Sequence, residues 1–335
     1  MSNTHTTILE VLRARAGEWC GPQMLAGHAF AGLAEVADAV ASLRLAGYNI
    51  EDHPRLGYRF TGGAGRLLPY EITRGLGATI IGRRILAYDR VASTNDLAWS
   101  QAAAGAEEGT VVCAEEQTAG RGRMGRQWTC PRGKGLLFSI ILRPKLDIDR
   151  QSVLTIMAAV ATARALYEDY QLPALIRWPN DILIRDRKIG GILVEVRTIK
   201  GRPNFVLGLG LNTNISEQEF PPGLRTAATS VAIESRRDVD RIACARSVLR
   251  SLDRWYAVTL RGEYGLIAEQ WRQLSSNLGR RITLTDNAHE YTGRVLDLSL
   301  EDGLILHLDG GGARVFPAGQ FALKLNPPDS DTPAS

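Results

Sequence analysis

Between Ala119 and Trp128 the chain reads AGRGRMGRQW, with Arg121, Arg123 and Arg126 threaded between Gly120, Gly122 and Gly125. Neighbouring guanidinium groups repel one another, and glycine surrenders more backbone freedom on ordering than any other residue. What such a segment suits is a small anion that it can wrap. Guanidinium and backbone N–H groups both offer charge-assisted hydrogen bonds, each contributing about 1.5–3 kcal/mol. Ordering the backbone costs about 1–2 kcal/mol per residue, so several bonds must form together. This strap is therefore expected to stand open until an anion draws it shut. A second candidate is Lys188. It is one of five lysines among 40 basic residues and stands just before Gly190-Gly191. Glycines within a strand often mark close approach of a ligand, whereas a lysine at a hairpin turn commonly lies in water.

The strap glycines fit G-x-G-x-x-G, but a dinucleotide fingerprint must open a helix and be followed by an acidic residue about 20 positions on. Here the chain continues QWTCPRGKG, which cannot be a helix, and reaches RPKL from Arg143. A nucleic-acid-binding Arg-Gly arm and a solvated surface loop are the alternatives. Neither explains a position between two very apolar strands, where long loops tend to carry function.

The elements that must position these residues alternate from residue 67 onward. RRILAYDRV reads as a strand, STNDLAWSQAAA as a helix started by Ser93 or Thr94, and TVVCAEE as a strand entering the strap. GLLFSIILR is a buried strand, SVLTIMAAVATARALYEDY a long helix, and ALIRWP, DILIRDRKIGGILVEV and NFVLGLGLNTN supply further strands. Asp186-Arg187 is the expected tight turn between Ile182–Arg185 and Lys188–Val196. Helical patterns return over 239–260 and around Trp271, and five short strand-like pieces from Gly279 onward form a small-barrel pattern. At the N-terminus, residues 6–15 are helical, Gly21-Pro22 breaks the chain, and Leu33, Val36, Val40 and Leu43 make one helical stripe. With the hairpin that follows, this suggests a winged helix-turn-helix.

Composition bounds the answer. The 335 residues allow about two or three domains, and 44% hydrophobic with 23% charged residues describes a soluble globular protein. No run of about 18 apolar residues and no signal pattern is present, so a cytosolic protein without a membrane partner is expected. Cys20, Cys113, Cys130 and Cys244 lie far apart without a C-x-x-C pair, which indicates neither disulfides nor a zinc site. A net charge of +4 does not by itself argue for nucleic acid.

STNDLA, EEQTAGRGRMGRQW, GLLFSIIL, RWPNDILIRDRKIGGILVEV and GLGLNTN, in that order, resemble the biotin–protein ligases of the bifunctional ligase and biotin-operon repressor type. The resemblance covers nearly the whole chain. It implies an α/β fold: an α+β mixed-sheet ligase domain over 67–275, a winged helix-turn-helix over 1–66 and a small SH3-like β-barrel over 276–326. A disordered tail is expected over 327–335. The activity implied is a two-step one, in which biotin and ATP-Mg²⁺ give biotinyl-5′-AMP and pyrophosphate, and the acyl group then passes to a lysine of a biotin carrier domain such as that of acetyl-CoA carboxylase. Lipoate ligases share the fold. The resemblance also implies a homodimer and biotin-operon DNA as a partner.

The resemblance assigns catalytic roles to Lys188, Arg123 and Asp181, with Asp181 also the candidate Mg²⁺ ligand. It places Ser93, Thr94, Asn95, Gln117, Arg121, Gly122, Arg123, Lys188 and Gly191 around biotin. Arg121, Arg123, Arg126, Trp128, Asn180 and Asn212 fall to ATP and the adenylate. The sequence departs from the family's pattern at Met124, where arginine is frequent, and at Arg177, where lysine is usual. Between Cys20 and Leu43 there is no lysine or arginine, and Glu35 and Asp38 sit on the expected recognition helix. Weak or lost DNA binding is the expectation, since phosphates and base edges are read largely by basic side chains.

Overall fold

The computed structural model describes residues 3–63, 65–286 and 288–324, so the tail expected over 327–335 lies outside the described residues. The chain divides into two compact units, Met1–Leu68 and Pro69–Ser335.

In the first unit, α1 (Asn3–Ala14) buries Ile8, Leu9 and Leu12. A two-residue strand, β1 (Trp19–Cys20), leads into α2 (Pro22–Ala29). Proline at the first helical position starts a helix, because its missing N–H would have had no partner there. Gly21-Pro22 is thus a helix start as well as a break. α3 (Leu33–Leu45) buries Val36, Ala39, Val40 and Leu43, while Leu33 is 52% exposed, so the apolar stripe begins one turn later than the sequence suggests. β2 (Tyr48–His53) and β3 (Gly57–Gly63) form a hairpin, and the sheet order is β1-β3-β2.

The second unit opens with α4 (Pro69–Thr73), then β4 (Ile85–Val91), α5 (Thr94–Ala103), β5 (Val111–Gln117), β6 (Gly135–Leu142) and α6 (Gln151–Tyr170). β7 (Leu175–Arg177), β8 (Asp181–Ile184), β9 (Arg187–Ile199) and β10 (Arg202–Asn212) complete a seven-stranded mixed sheet ordered β4-β5-β6-β10-β9-β8-β7. Only β4 and β5 run parallel. All eight residues of β6 are buried, which explains why GLLFSIIL is apolar without alternation. Ala98, Trp99 and Ala102 of α5 pack on Val112, Ile141 and Val206, so even-numbered positions of β10 face α5. α6 packs on β9 and β10, and α8 (Arg241–Leu260) packs on α6 and β6. α7 (Val231–Ser235) precedes α8, and α9 (Tyr264–Leu274) follows it.

The five short pieces are strands: β11 (Arg281–Thr285), β12 (Glu290–Ser299), β13 (Gly303–Leu308), β14 (Ala313–Phe316) and β15 (Ala322–Lys324). They make an antiparallel sheet ordered β14-β13-β12-β11-β15. The tight turn between β8 and β9 falls at Arg185-Asp186, both at positive φ (50° and 62°), one residue earlier than expected. Two consecutive positive φ values define the hairpin turn whose twist matches the strands, and aspartate tolerates that conformation. Among the described residues no disulfide joins the cysteines, and no single helix is long and apolar enough to cross a membrane.

Candidate functional site

The α5-facing side of the sheet carries a floor of glycine. Gly210 pairs with Gly191 across β9 and β10, and Gly208 lies one pleat along. A Cβ on Gly210 would stand 2.4 Å from the Trp128 ring, and one on Gly208 would stand 2.5 Å from Asn95 Oδ1. Only glycine lets the strap's tryptophan and the head of α5 lie directly on the strands. The Trp128 indole N–H is buried there and has no hydrogen-bond partner among the described residues.

At one end of the floor stands a polar cluster. Ser93 is the N-cap residue of α5, but its side chain makes no capping bond. Thr94 donates from both backbone N–H and hydroxyl to Gln117 Oε1, at 2.7 and 2.9 Å. Beneath them Ser139, fully buried in β6, brings its hydroxyl to 2.7 Å from Thr94 Oγ1 and 2.6 Å from Asn95 Oδ1. That hydroxyl has one proton for two acceptors. Asn95 Nδ2 donates to Glu195 at 3.0 Å. Each of these side-chain oxygens thus has a partner inside the cluster, and Thr94 and Asn95 line the cavity.

At the other end lies an ion-pair knot. Lys188 Nζ sits 2.5 Å from Asp181 Oδ1 and 5.5 Å from the centroid of the Trp128 ring. Arg177 meets the other Asp181 oxygen at 2.9 Å. Burial alone would push the Asp181 carboxyl up, but Lys188 and Arg177, through charge and hydrogen bonds, hold it below the usual carboxylate range. With each oxygen already facing a cation, Asp181 does not fit a protein-held Mg²⁺. Asn180 donates to Ile192 O at 2.8 Å and fixes the bend before β8.

The strap is folded, not extended. Gly122 N–H donates to Arg126 O at 2.7 Å, Arg126 N–H to Arg123 O at 3.1 Å and Trp128 N–H to Gly120 O at 2.9 Å. These backbone donors, expected to face an anion, are used inside the strap. Arg121 is paired with Asp96 at 2.6 Å and Glu195 at 3.1 Å. Arg123 reaches the carbonyl of Ala318, ahead of β15, with Asn180 Oδ1 at 3.5 Å. Burial pulls the Arg123 guanidinium below its ordinary value, against the opposing pull of Asp181. Protein carboxylates and carbonyls supply the negative partners that the sequence did not reveal.

Residues 213–230 return over the site. Lys188 N–H donates to Ala227 O at 2.8 Å, and Thr229 N–H donates to Lys188 O at 2.9 Å. Asn212 holds Thr229 O at 3.0 Å. A cavity of about 320 Å³ remains. Every residue that the resemblance assigns to the site lines it: Ser93, Thr94, Asn95, Gln117, Arg121, Gly122, Arg123, Arg126, Trp128, Asn180, Asp181, Lys188, Gly191 and Asn212. Sequence reasoning missed Phe220, Leu224 and Ala228 from the returning loop, Phe321 just before β15 and Leu323 within it, all of which also line it. It missed Ser139, Asp96 and Glu195 as well. Ser139 was legible only as the one hydroxyl in an otherwise apolar strand.

The chain is similar to known proteins over most of its length. Residues 87–212 match the Biotin/lipoate A/B protein ligase family. The Bifunctional ligase/repressor BirA of Bacillus subtilis is 30% identical over 318 residues, covering 95% of this chain and 98% of that protein. The Biotin--[acetyl-CoA-carboxylase] ligase of Mycobacterium tuberculosis is 31% identical over 262 residues, covering 75% and 94%. A biotin protein ligase from Aquifex aeolicus, solved in complex with biotin and ATP, shares the fold at a TM-score of 0.64 and 24% identity, covering 73% of this chain and 100% of that one. The extent and identity of these matches establish that the chain belongs to the biotin–protein ligases of the biotin/lipoate A/B protein ligase family.

Proposed function

We propose that the chain is an ATP-dependent biotin–protein ligase that forms biotinyl-5′-AMP and passes the biotinyl group to a lysine of a biotin carrier domain of the acetyl-CoA carboxylase type. The observation that carries this reading is the pairing of two ends in one cavity: the hydroxyl of Thr94 and the amide of Asn95 at one, able to accept a ligand's N–H groups, and the ammonium of Lys188 at the other. Biotin's ureido ring brings two N–H donors, whereas lipoate's dithiolane brings none. A site built to pair a ligand N–H discriminates strongly against an analogue that lacks it.

In the first step a biotin carboxylate oxygen attacks the α-phosphorus of ATP, and the bond to pyrophosphate breaks. Lys188 offsets the repulsion between carboxylate and phosphates and the charge that develops during transfer. Arg123 and Arg126 line the phosphate end of the same cavity, and Trp128 and Asn212 flank the nucleotide side. In the second step the carrier's amine attacks the acyl carbon, AMP leaves with the electron pair, and the amine loses a proton. The folded strap excludes water from the mixed anhydride meanwhile. Mg²⁺ belongs with the phosphates of the ATP substrate, since Asp181 is committed to two cations.

The element order of residues 1–66 supports a winged helix-turn-helix, and the five strands of 276–326 support an SH3-like barrel. α3 exposes Ala34, Glu35, Ala37, Asp38, Ala41 and Ser42; its one basic residue, Arg44, is exposed in the last turn and donates to Ile50 O at 2.6 Å. We therefore read the first unit as a poor DNA binder. The homodimer rests on the family resemblance. The test of function is carrier biotinylation with ATP, offering biotin and lipoate in competition. Biotin alone should be transferred; preferential lipoylation would refute the reading.

A further inference from the structure

Two carboxylates stand just outside the cavity and belong to none of the roles above. Asp96, in the first turn of α5, takes both its oxygens to Arg121 Nη1, at 2.7 and 2.6 Å. Glu195, in mid-β9, accepts from Asn95 Nδ2 and Trp99 Nε1 at 3.0 Å each, and its other oxygen meets Arg121 Nη2 at 3.1 Å. Neither acid lines the cavity, whereas Asn95 and Arg121 both do. One carboxylate thus joins the polar end of the site to the root of the strap, and the second doubles the hold on the same guanidinium. The direction of the Arg121 shift agrees: the hydrogen bond to Asp96 raises it above the ordinary value.

We propose that Asp96 and Glu195 are positioning residues, forming a carboxylate latch that pins the strap through Arg121 to the Asn95 end of the cavity and so sets how long the acyl-adenylate is retained. The retention clause rests on the proposed ligase activity; the latch itself does not. An aspartate in a helix's first turn also stabilises the helix, but that contribution is independent of Arg121. Glu195→Gln separates the roles. A glutamine oxygen can still accept from Asn95 and Trp99, while its amide turns two donors toward Arg121 and breaks that contact.

The full-length chain is exposed to trypsin under native conditions, and cleavage after the strap arginines is timed in wild type, D96N, E195Q and D96N/E195Q. The latch predicts strap cleavage about tenfold faster in the double variant, with cooperative thermal unfolding preserved, because each substitution removes a charge-assisted contact from a half-exposed pair. Protein-bound adenylate made from labelled biotin and ATP should be lost about tenfold faster in the same variant. In an Arg121→Gln background, Asp96→Asn should add nothing to either rate. Wild-type cleavage in D96N/E195Q, or an Asp96→Asn effect of the same size with and without Arg121, would overturn the proposal. If wild type formed no adenylate, that would count against the ligase reading, and the cleavage arm would still decide the latch.

Discussion

At the scale of single residues, the site is governed by what each charge is paired with. Asp181 is the clearest case, because a carboxylate that looked available for a metal proves to be shared between Lys188 and Arg177. Its folded-state carboxyl is held below the ordinary 3.8, so its contribution to stability is complete above that value and is lost only as the pH falls through the lower folded value. Asp181→Asn leaves two cations facing each other and should destabilise the chain by about 1–3 kcal/mol at neutral pH. Denaturant unfolding across a pH series checks this: the gap between the two proteins should stay constant down to about the ordinary carboxyl value and narrow below it. A gap that already closed around pH 6 would mean that another group carries the effect.

Among elements, the central hairpin of the sheet sets the position of the strap. Gly208 and Gly210 on β10 give up side chains so that Asn95 and Trp128 can rest on the strands. Gly210→Ala would set a methyl group 2.4 Å from the Trp128 ring, which must then lift away. Adenylate formation should fall at least tenfold, roughly the effect of losing one well-placed contact, with a change in tryptophan fluorescence. Gly223→Ala, where a Cβ would meet nothing within 4 Å, serves as the control and should leave both unchanged. The glycines of GLGLNTN were legible as part of a motif, but their purpose was not, since the tryptophan they admit lies 82 positions before Gly210 (210 − 128 = 82). The elements themselves were more legible. The β6 run, apolar but for Ser139, and the long apolar helix α6 can only be interior, whereas α2 was hidden because proline reads both as a breaker and as a first helical residue.

For the whole molecule, two units carry two kinds of surface. The motif residues could be read from the sequence because they cluster in short, ordered stretches. The partners that hold them could not, because Asp96 and Glu195 are isolated acids and Phe321 reaches the cavity from nearly the end of the described chain. The expected consequence of the α3 surface is that a mobility-shift assay with the chain's own biotin-operon promoter, biotin and ATP shows no sequence-specific complex. Nanomolar, sequence-specific binding would restore the repressor role. The central claim, that the Lys188 ammonium in the strapped cavity drives acyl-adenylate formation, is tested most directly by biotin-dependent ATP–pyrophosphate exchange in Lys188→Ala beside wild type, with folding monitored by circular dichroism. Exchange about 10²–10³-fold slower in a variant of unchanged fold is the predicted result; exchange near the wild-type rate would contradict it.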